Sequence, residues 1–340
     1  MNFARVQLFH GPGQPFQMGI APLPAELNHG EVLVQLLLAT ICGSDLHTVD
    51  GRRSAPTPCV LGHEAVGHVI GSSRDGIATG QRVTWTLADS CGHCAPCTRW
   101  NLPQKCDHLF KYGHAAFSEG SGLNGCYASH IVLRPGTQIM PVPAGLPDAI
   151  AAPANCALAT IINALETLPD ACERAWVQGG GLLGIYACAW LRHCGVREVF
   201  CSDLSPQRLA LVAEFGGIPL DPRERPTTVD LVLEVTGSSA VIPEGIKALR
   251  PGGHYLWAGM VHPETKLDLT GEAVLRKCLT LRGVHNYAPH HLAAGLEFLA
   301  QNHTRLPFEK LTSPPLPLEQ LNEGIELTRS RQWQRVAIQP

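Results

Sequence analysis

Apolar and polar positions alternate in short runs along the first part of the chain. Runs 31–42 (EVLVQLLLATIC), 64–71 (EAVGHVIG) and 127–135 (YASHIVLRP) predict strands. Helical spacing is scarce before residue 150, and Gly and Pro separate the runs, so this part reads as β-rich with long functional loops. The pattern changes near residue 150. An Ala/Leu-rich stretch predicts helix on both sides of Cys156. Strands and helices then alternate: a buried strand at 175–178, a helix from near Leu182 to Gly195, and a second strand at 198–203. The next helix takes Ser205 as N-cap, Pro206 at its first position and Gly216 at its end. A third strand follows at 229–235, then a helix whose start Pro243 makes irregular, then a fourth strand at 253–259 (GHYLWAG). This order predicts a doubly wound parallel sheet. From about 288 come one clear helix, a Pro-rich stretch and a closing strand-like RVAIQ, expected to pack back on the first region. The expected division is 1–152 with 288–340 as one domain and 153–287 as the other.

A length of 340 residues allows two separate cores. A formal charge of −3, with no basic stripe, argues against nucleic acid and anionic membranes as partners. No apolar run approaches the roughly 20 residues that span a bilayer. The opening residues have no secretory pattern, so the expectation is a cytoplasmic protein. Thirteen cysteines in such a chain read as thiols and metal ligands rather than disulfides.

Gly179-x-Gly181-x-x-Gly184 follows the strand at 175–178 and opens a helix. Gly179 permits the tight turn, Gly181 lets the backbone approach a pyrophosphate, and Gly184 lets helix and strand pack closely. Leu182 and Leu183 lie in the first helical turn, where free N–H groups and the positive dipole end face phosphates. Asp203 ends the next strand, 24 residues after Gly179, and would take the adenine ribose hydroxyls. Its charge favours NAD over NADP, whereas Arg208, one helical turn on, pulls the other way.

Cys91, Cys94 and Cys97 are spaced C-x2-C-x2-C, and Cys106 follows nine residues later. Four thiolates on one loop make a closed tetrahedral zinc site, hence a structural one; an iron–sulfur cluster is the alternative. Cys42, His63 and Cys156 form a second set. One His and two Cys leave the fourth zinc position open for water or substrate. Asp45 is expected to hydrogen-bond the outer nitrogen of His63.

Cys42-Gly-Ser-Asp-x-His47, Gly62-His63-Glu64, the four-cysteine loop and the glycine motif occur in the order of the zinc-dependent medium-chain alcohol dehydrogenases, which the chain resembles over essentially its full length. The last gap of the cysteine loop is one residue longer than usual, which alters the loop path. The resemblance implies a GroES-like β-rich catalytic domain, a Rossmann nucleotide domain, two zinc ions per chain, and NAD as hydride partner of an alcohol. It also implies that Ser44 touches the substrate oxygen and that His47 continues the proton relay. Glu64 would sit behind the zinc, and Thr160 would pack against the nicotinamide. It makes Cys156 the third ligand, with Glu166 as a fallback, and implies a homodimer or homotetramer formed through edge strands, with GHYLWAG and 276–287 as candidates.

A narrower resemblance, carried by CGSDLHT, GRRSAPTP, VLGHE, PQKC…LFKYGH and AAPANCALAT, is to the alcohol dehydrogenases associated with phosphonate catabolism. In similar enzymes the loop of Arg52 and Arg53 borders the substrate cleft, as does the stretch holding Lys111, Tyr112 and His114. Arginines there suit a phosphonate or carboxylate, which the guanidinium grips through two parallel bonds; as solvent-facing charges they would contribute nothing. The expected substrate is therefore a small anionic alcohol. Alternatives are a neutral polyol, an amino alcohol such as threonine, or a simple alcohol. Further alternatives are a zinc-free reductase of the same fold and a zinc-stabilised binding protein. His262, His285, Asn286 and Tyr287 are additional candidates for substrate contact.

Overall fold

A computed structural model describes residues 3–221, 223–261, 265–267 and 269–340. The chain forms two compact units, Met1–Cys156 with Tyr287–Pro340, and Ala157–Asn286. The first boundary thus follows Cys156 rather than residue 152. The turn Ala152–Asn155 is buried in the first unit, where Asn155 Nδ2 donates to the carbonyls of His63 and Trp85. The second boundary falls before Tyr287, whose ring is buried in that same unit.

The first unit is built on one long strand, Val32–Ile41, apolar enough to be buried on both faces along most of its length. It pairs antiparallel with Glu64–Ser72 on one side. On the other side, His130–Leu133 covers its first half and the closing strand Val336–Gln339 its second half. The chain's end therefore lies against the strand that delivers Cys42. The strand expected over 127–135 is shorter than its alternation suggested: only His130–Leu133 pairs, apart from a single bridge at Ala128. The core gathers Val34, Ile41, Trp85, Tyr127 and Ile338, among others.

The second unit is an all-parallel six-stranded sheet. In spatial order its strands are Ile218–Leu220, Glu198–Ser202, Arg174–Gln178, Val229–Glu234, Leu249–Trp257 and Thr280–Gly283. The chain enters at Arg174–Gln178, builds outward, then returns to build on the other side. The crevice at the carboxyl ends, where the strand order reverses, is where such sheets take ligands. The GHYLWAG segment belongs to the interior strand Leu249–Trp257, paired on both sides, so it offers no edge. Thr280–Gly283, within 276–287, is the edge. Among the described residues no helix is long and apolar enough to cross a membrane.

Candidate active site

Cys42 ends the strand Val32–Ile41 and stands at the N-cap of the short helix Gly43–Val49. Asp45, three residues on, accepts from the Cys42 N–H (3.0 Å) and fixes how the chain leaves the strand. Asp45 is buried and also accepts from the Tyr127 hydroxyl (2.8 Å). Its other oxygen lies 3.5 Å from His63 Nδ1, a charge contact longer than a formed hydrogen bond. The helix expected through Cys156 is interrupted there. The turn Ala152–Asn155 ends, Cys156 takes φ −131° and ψ −73°, and a new helix runs from Ala157 to Ala164. That break sets Cys156 Sγ 4.0 Å from Cys42 Sγ.

The ligand atoms of Cys42, His63, Glu64 and Cys156 lie within 4.8 Å of one another. Two thiolates each ~2.3 Å from one tetrahedral ion stand about 3.8 Å apart, so the observed sulfur separation fits a shared zinc. The charges fit as well. Hydrogen bonding from Cys156, with Arg335 assisting against burial, holds the Cys42 thiol well below its ordinary range. The same contact and burial push the Cys156 thiol up. Burial disfavours the His63 imidazolium, but Asp45 and Cys42 outweigh it and raise His63 to about 10. A divalent ion entering this nest would displace the thiol and imidazolium protons and take over their electrostatic role.

Glu64, a member of this group by distance, is already engaged by other partners. It is fully buried and accepts from Thr40 Oγ1 (2.6 Å) and from Arg335 Nε and a terminal guanidinium nitrogen (2.7 and 2.9 Å). Burial pushes its carboxyl up to about 7, with Arg335 opposing. Arg335 also reaches Cys42 Sγ at 3.4 Å. Arg335 is not legible in the sequence, because a lone Arg just before a terminal strand carries no spacing signal.

Ser44 and His47 lie one turn apart on the helix that Cys42 caps, hence on one face. The His47 carbonyl accepts from the N–H groups of both Arg52 and Arg53, closing the turn that carries them. The two arginines then part. Arg52 points to solvent beside Asp50 (3.6 Å), which also pairs with Arg329. Arg53 turns inward, its guanidinium 2.6 Å from His114 Nε2. His114 Nδ1 lies 3.0 Å from the Tyr112 carbonyl, and its ring centre 6.0 Å from that of His63. Burial and the charge of Lys111 push His114 down to about 3, so it is a neutral imidazole donating at Nδ1 and accepting from Arg53 at Nε2. Burial and Arg53 also lower Lys111, while Cys156, Cys42 and Asp45 pull the other way. Two cations and a neutral His thus stand beside the ligand group. Tyr112 faces the core instead, its hydroxyl bonded to Thr137 Oγ1 and the Arg134 N–H.

The four-cysteine loop closes on itself. Cys94 Sγ lies 3.4 Å from Cys97 Sγ and 3.7 Å from Cys106 Sγ, and all four sulfurs lie within 4.8 Å of one another. That spacing suits one tetrahedral ion and leaves no room for a multi-iron cluster. The N–H groups of Cys91 and His108 point at Cys106 Sγ. A 3-10 turn, Pro103–Lys105, takes up the long last gap.

In the second unit Gly179 has φ +114°, and a Cβ at Gly184 would stand 1.8 Å from the Gly179 carbonyl oxygen, so neither position accepts a side chain. Gly181 caps the helix Leu182–His193, placing Leu182 and Leu183 in its first turn. Asp203 accepts from the Gly180 and Ser205 N–H groups, and Arg208 leans on it at 3.6 Å. Thr160 lies on the helix Ala157–Ala164, partly exposed. Glu234 carries no spacing signal in the sequence. Its buried Oε1 accepts from the Thr236 and Gly237 N–H groups and the Thr236 hydroxyl, fixing the turn beside Gly179. Glu166 is exposed. Asn286 gives its carbonyl to Asn163, and His285 is exposed. His262 lies outside the described residues.

Two family models match, an alcohol dehydrogenase GroES-like domain over residues 28–144 and a zinc-binding dehydrogenase over 183–301; together they span well over half of the chain. A curated L-threonine 3-dehydrogenase of Proteus mirabilis is 26% identical, covering 93% of this chain and 94% of that one. The crystal structure of an alcohol dehydrogenase from Thermotoga maritima superposes with TM-score 0.93 at 29% identity, covering 99% of each chain. An alcohol dehydrogenase from Thermus sp. ATN1 gives TM-score 0.83 at 27% identity, covering 98% of this chain and 99% of that one.

Proposed function

The chain belongs to the zinc-dependent medium-chain alcohol dehydrogenases, and on that footing we propose that it oxidises a small alcohol carrying an anionic group, with a phosphonate as first choice, and passes hydride to NAD. Cys42, His63 and Cys156 hold the catalytic zinc in this reading, and Cys91, Cys94, Cys97 and Cys106 a structural one. Zinc supplies the Lewis-acid charge that lets a substrate hydroxyl lose its proton near neutral pH. Ser44 accepts that proton's hydrogen bond and His47 passes it on, their shared helix face supporting the relay. Asp45 orients His63, and Glu64 with Arg335 sets the charge behind Cys42. Gly179, Gly181 and Gly184 shape the pyrophosphate turn. Asp203, held by the Gly180 and Ser205 N–H groups at one bond per oxygen, has lone pairs left to receive the ribose hydroxyls.

The observation that carries the substrate class is the inward turn of Arg53 onto His114, with Lys111 beside them. Two part-buried cations beside the ligand group favour an anion, and a doubly charged phosphonate answers both. Arg52, spent on Asp50 at the surface, takes no part. The second reading is an amino alcohol of the threonine type, favoured by the L-threonine 3-dehydrogenase relatives. Its carboxylate suits Arg53, but its ammonium needs a free carboxylate, and Asp45 and Glu64 are already engaged.

A screen for NAD reduction over hydroxyalkylphosphonates, threonine, polyols and simple alcohols separates these readings. Arg53→Ala is expected to raise KM for the anionic alcohol about 10- to 100-fold, the effect of losing a charged hydrogen bond. KM for a neutral alcohol should barely move. Equal effects on both would remove the anion subsite.

A further inference from the structure

The three sulfur and nitrogen ligands come from three separate stretches of chain: the end of Val32–Ile41, the start of Glu64–Ser72, and the turn after Asn155. Something besides the ion must hold those stretches in register. Asn155 is completely buried, and both of its amide protons are used, one on the His63 carbonyl and one on the Trp85 carbonyl, each at 3.0 Å. It is therefore bonded to one ligand's backbone and covalently joined to another ligand, Cys156. Its own carbonyl accepts from the Tyr287 hydroxyl, which in turn accepts from the Leu87 N–H at 3.2 Å. Tyr287 is buried among these contacts.

We infer that Asn155 and Tyr287 form a clamp that fixes the separation of His63 and Cys156, and so governs how tightly the metal they share is kept. They are positioning residues, since neither is a ligand. The inference rests on the reading that Cys42, His63 and Cys156 hold a zinc. Partners that orient metal ligands from outside typically control affinity about 10- to 100-fold, and a carbonyl clamp on the ligand-bearing backbone acts in the same way.

The test is zinc transfer from the purified full-length enzyme to a chromophoric chelator. Wild type should give two zinc ions per chain in two slow phases, and the phase missing from Cys156→Ala identifies the site. Asn155→Ala should speed that phase about 10- to 100-fold and leave the four-cysteine phase unchanged. Tyr287→Phe, which deletes a single hydroxyl, should speed the same phase by a smaller factor; it carries the test alone if Asn155→Ala does not fold. Unchanged release in both variants, with only the melting temperature lowered, would overturn the clamp as a metal-holding device. A single zinc in wild type, with no phase lost in Cys156→Ala, would instead overturn the underlying reading, and the clamp with it.

Discussion

Cys156→Ala is expected to lower kcat for alcohol oxidation by about a thousandfold or more while leaving NADH affinity within a fewfold of wild type. The metal contributes several kcal/mol to the charge that develops as the hydroxyl ionises, and each 1.36 kcal/mol is about tenfold in rate. Cys156 supplies one of only two sulfurs in the ligand group, 4.0 Å from the other. The glycine turn that would take the pyrophosphate belongs to the other unit, so its geometry should not depend on this thiol. Steady-state kinetics paired with NADH fluorescence titration reads both quantities. A variant that keeps most of its kcat would show that the chemistry does not run at this metal.

The second large effect falls on stability. Arg335→Met should destabilise the protein by about 3–5 kcal/mol, because it strands the Glu64 carboxylate in the core. Glu64 is fully buried and Arg335 nearly so, and three hydrogen bonds from Thr40 and Arg335 hold the carboxylate there. Replacing both partners removes the charge as well as its neighbour, so Glu64→Met with Arg335→Met should recover much of the loss. Denaturant unfolding of the zinc-loaded proteins measures this as a double-mutant cycle. Equal destabilisation by the single and double variants would show that the cost is packing rather than stranded charge.

Much of the architecture was legible because it rests on local pattern. The second unit announces itself in apolar runs separated by capped helices: Ser205 does cap the helix that Pro206 begins, accepting from the Arg208 N–H. Short pieces escaped. Ile218–Leu220 has three residues and a proline, and the hairpin of Phe3–Phe9 with Gln17–Pro22 exposes Met18 and Ile20, blurring its alternation. The helix Gly43–Val49, which carries Ser44 and His47, is too short to show a period. At the site, the residues with chemical spacing could be found in the sequence, whereas the ones with structural reach could not. Cys42, His63 and Cys156 stand out by type and company. Arg335, Asn155 and Glu234 act through contacts with residues distant in the chain, which no local window contains. Adjacent Arg52 and Arg53 are equivalent in the sequence, and only the turn closed on the His47 carbonyl decides which turns inward onto His114.

We expect this chain to carry two metal centres of different kinds, one closed and one open to substrate. Zinc analysis of the purified enzyme tests it most directly. Wild type should hold two zinc ions per chain, Cys156→Ala one, and Cys97→Ala should lose the other while the remaining ion stays. One zinc in wild type, unchanged in Cys156→Ala, would rule out the open centre, because Cys42, His63 and Cys156 would then be a polar cluster and not the seat of the reaction.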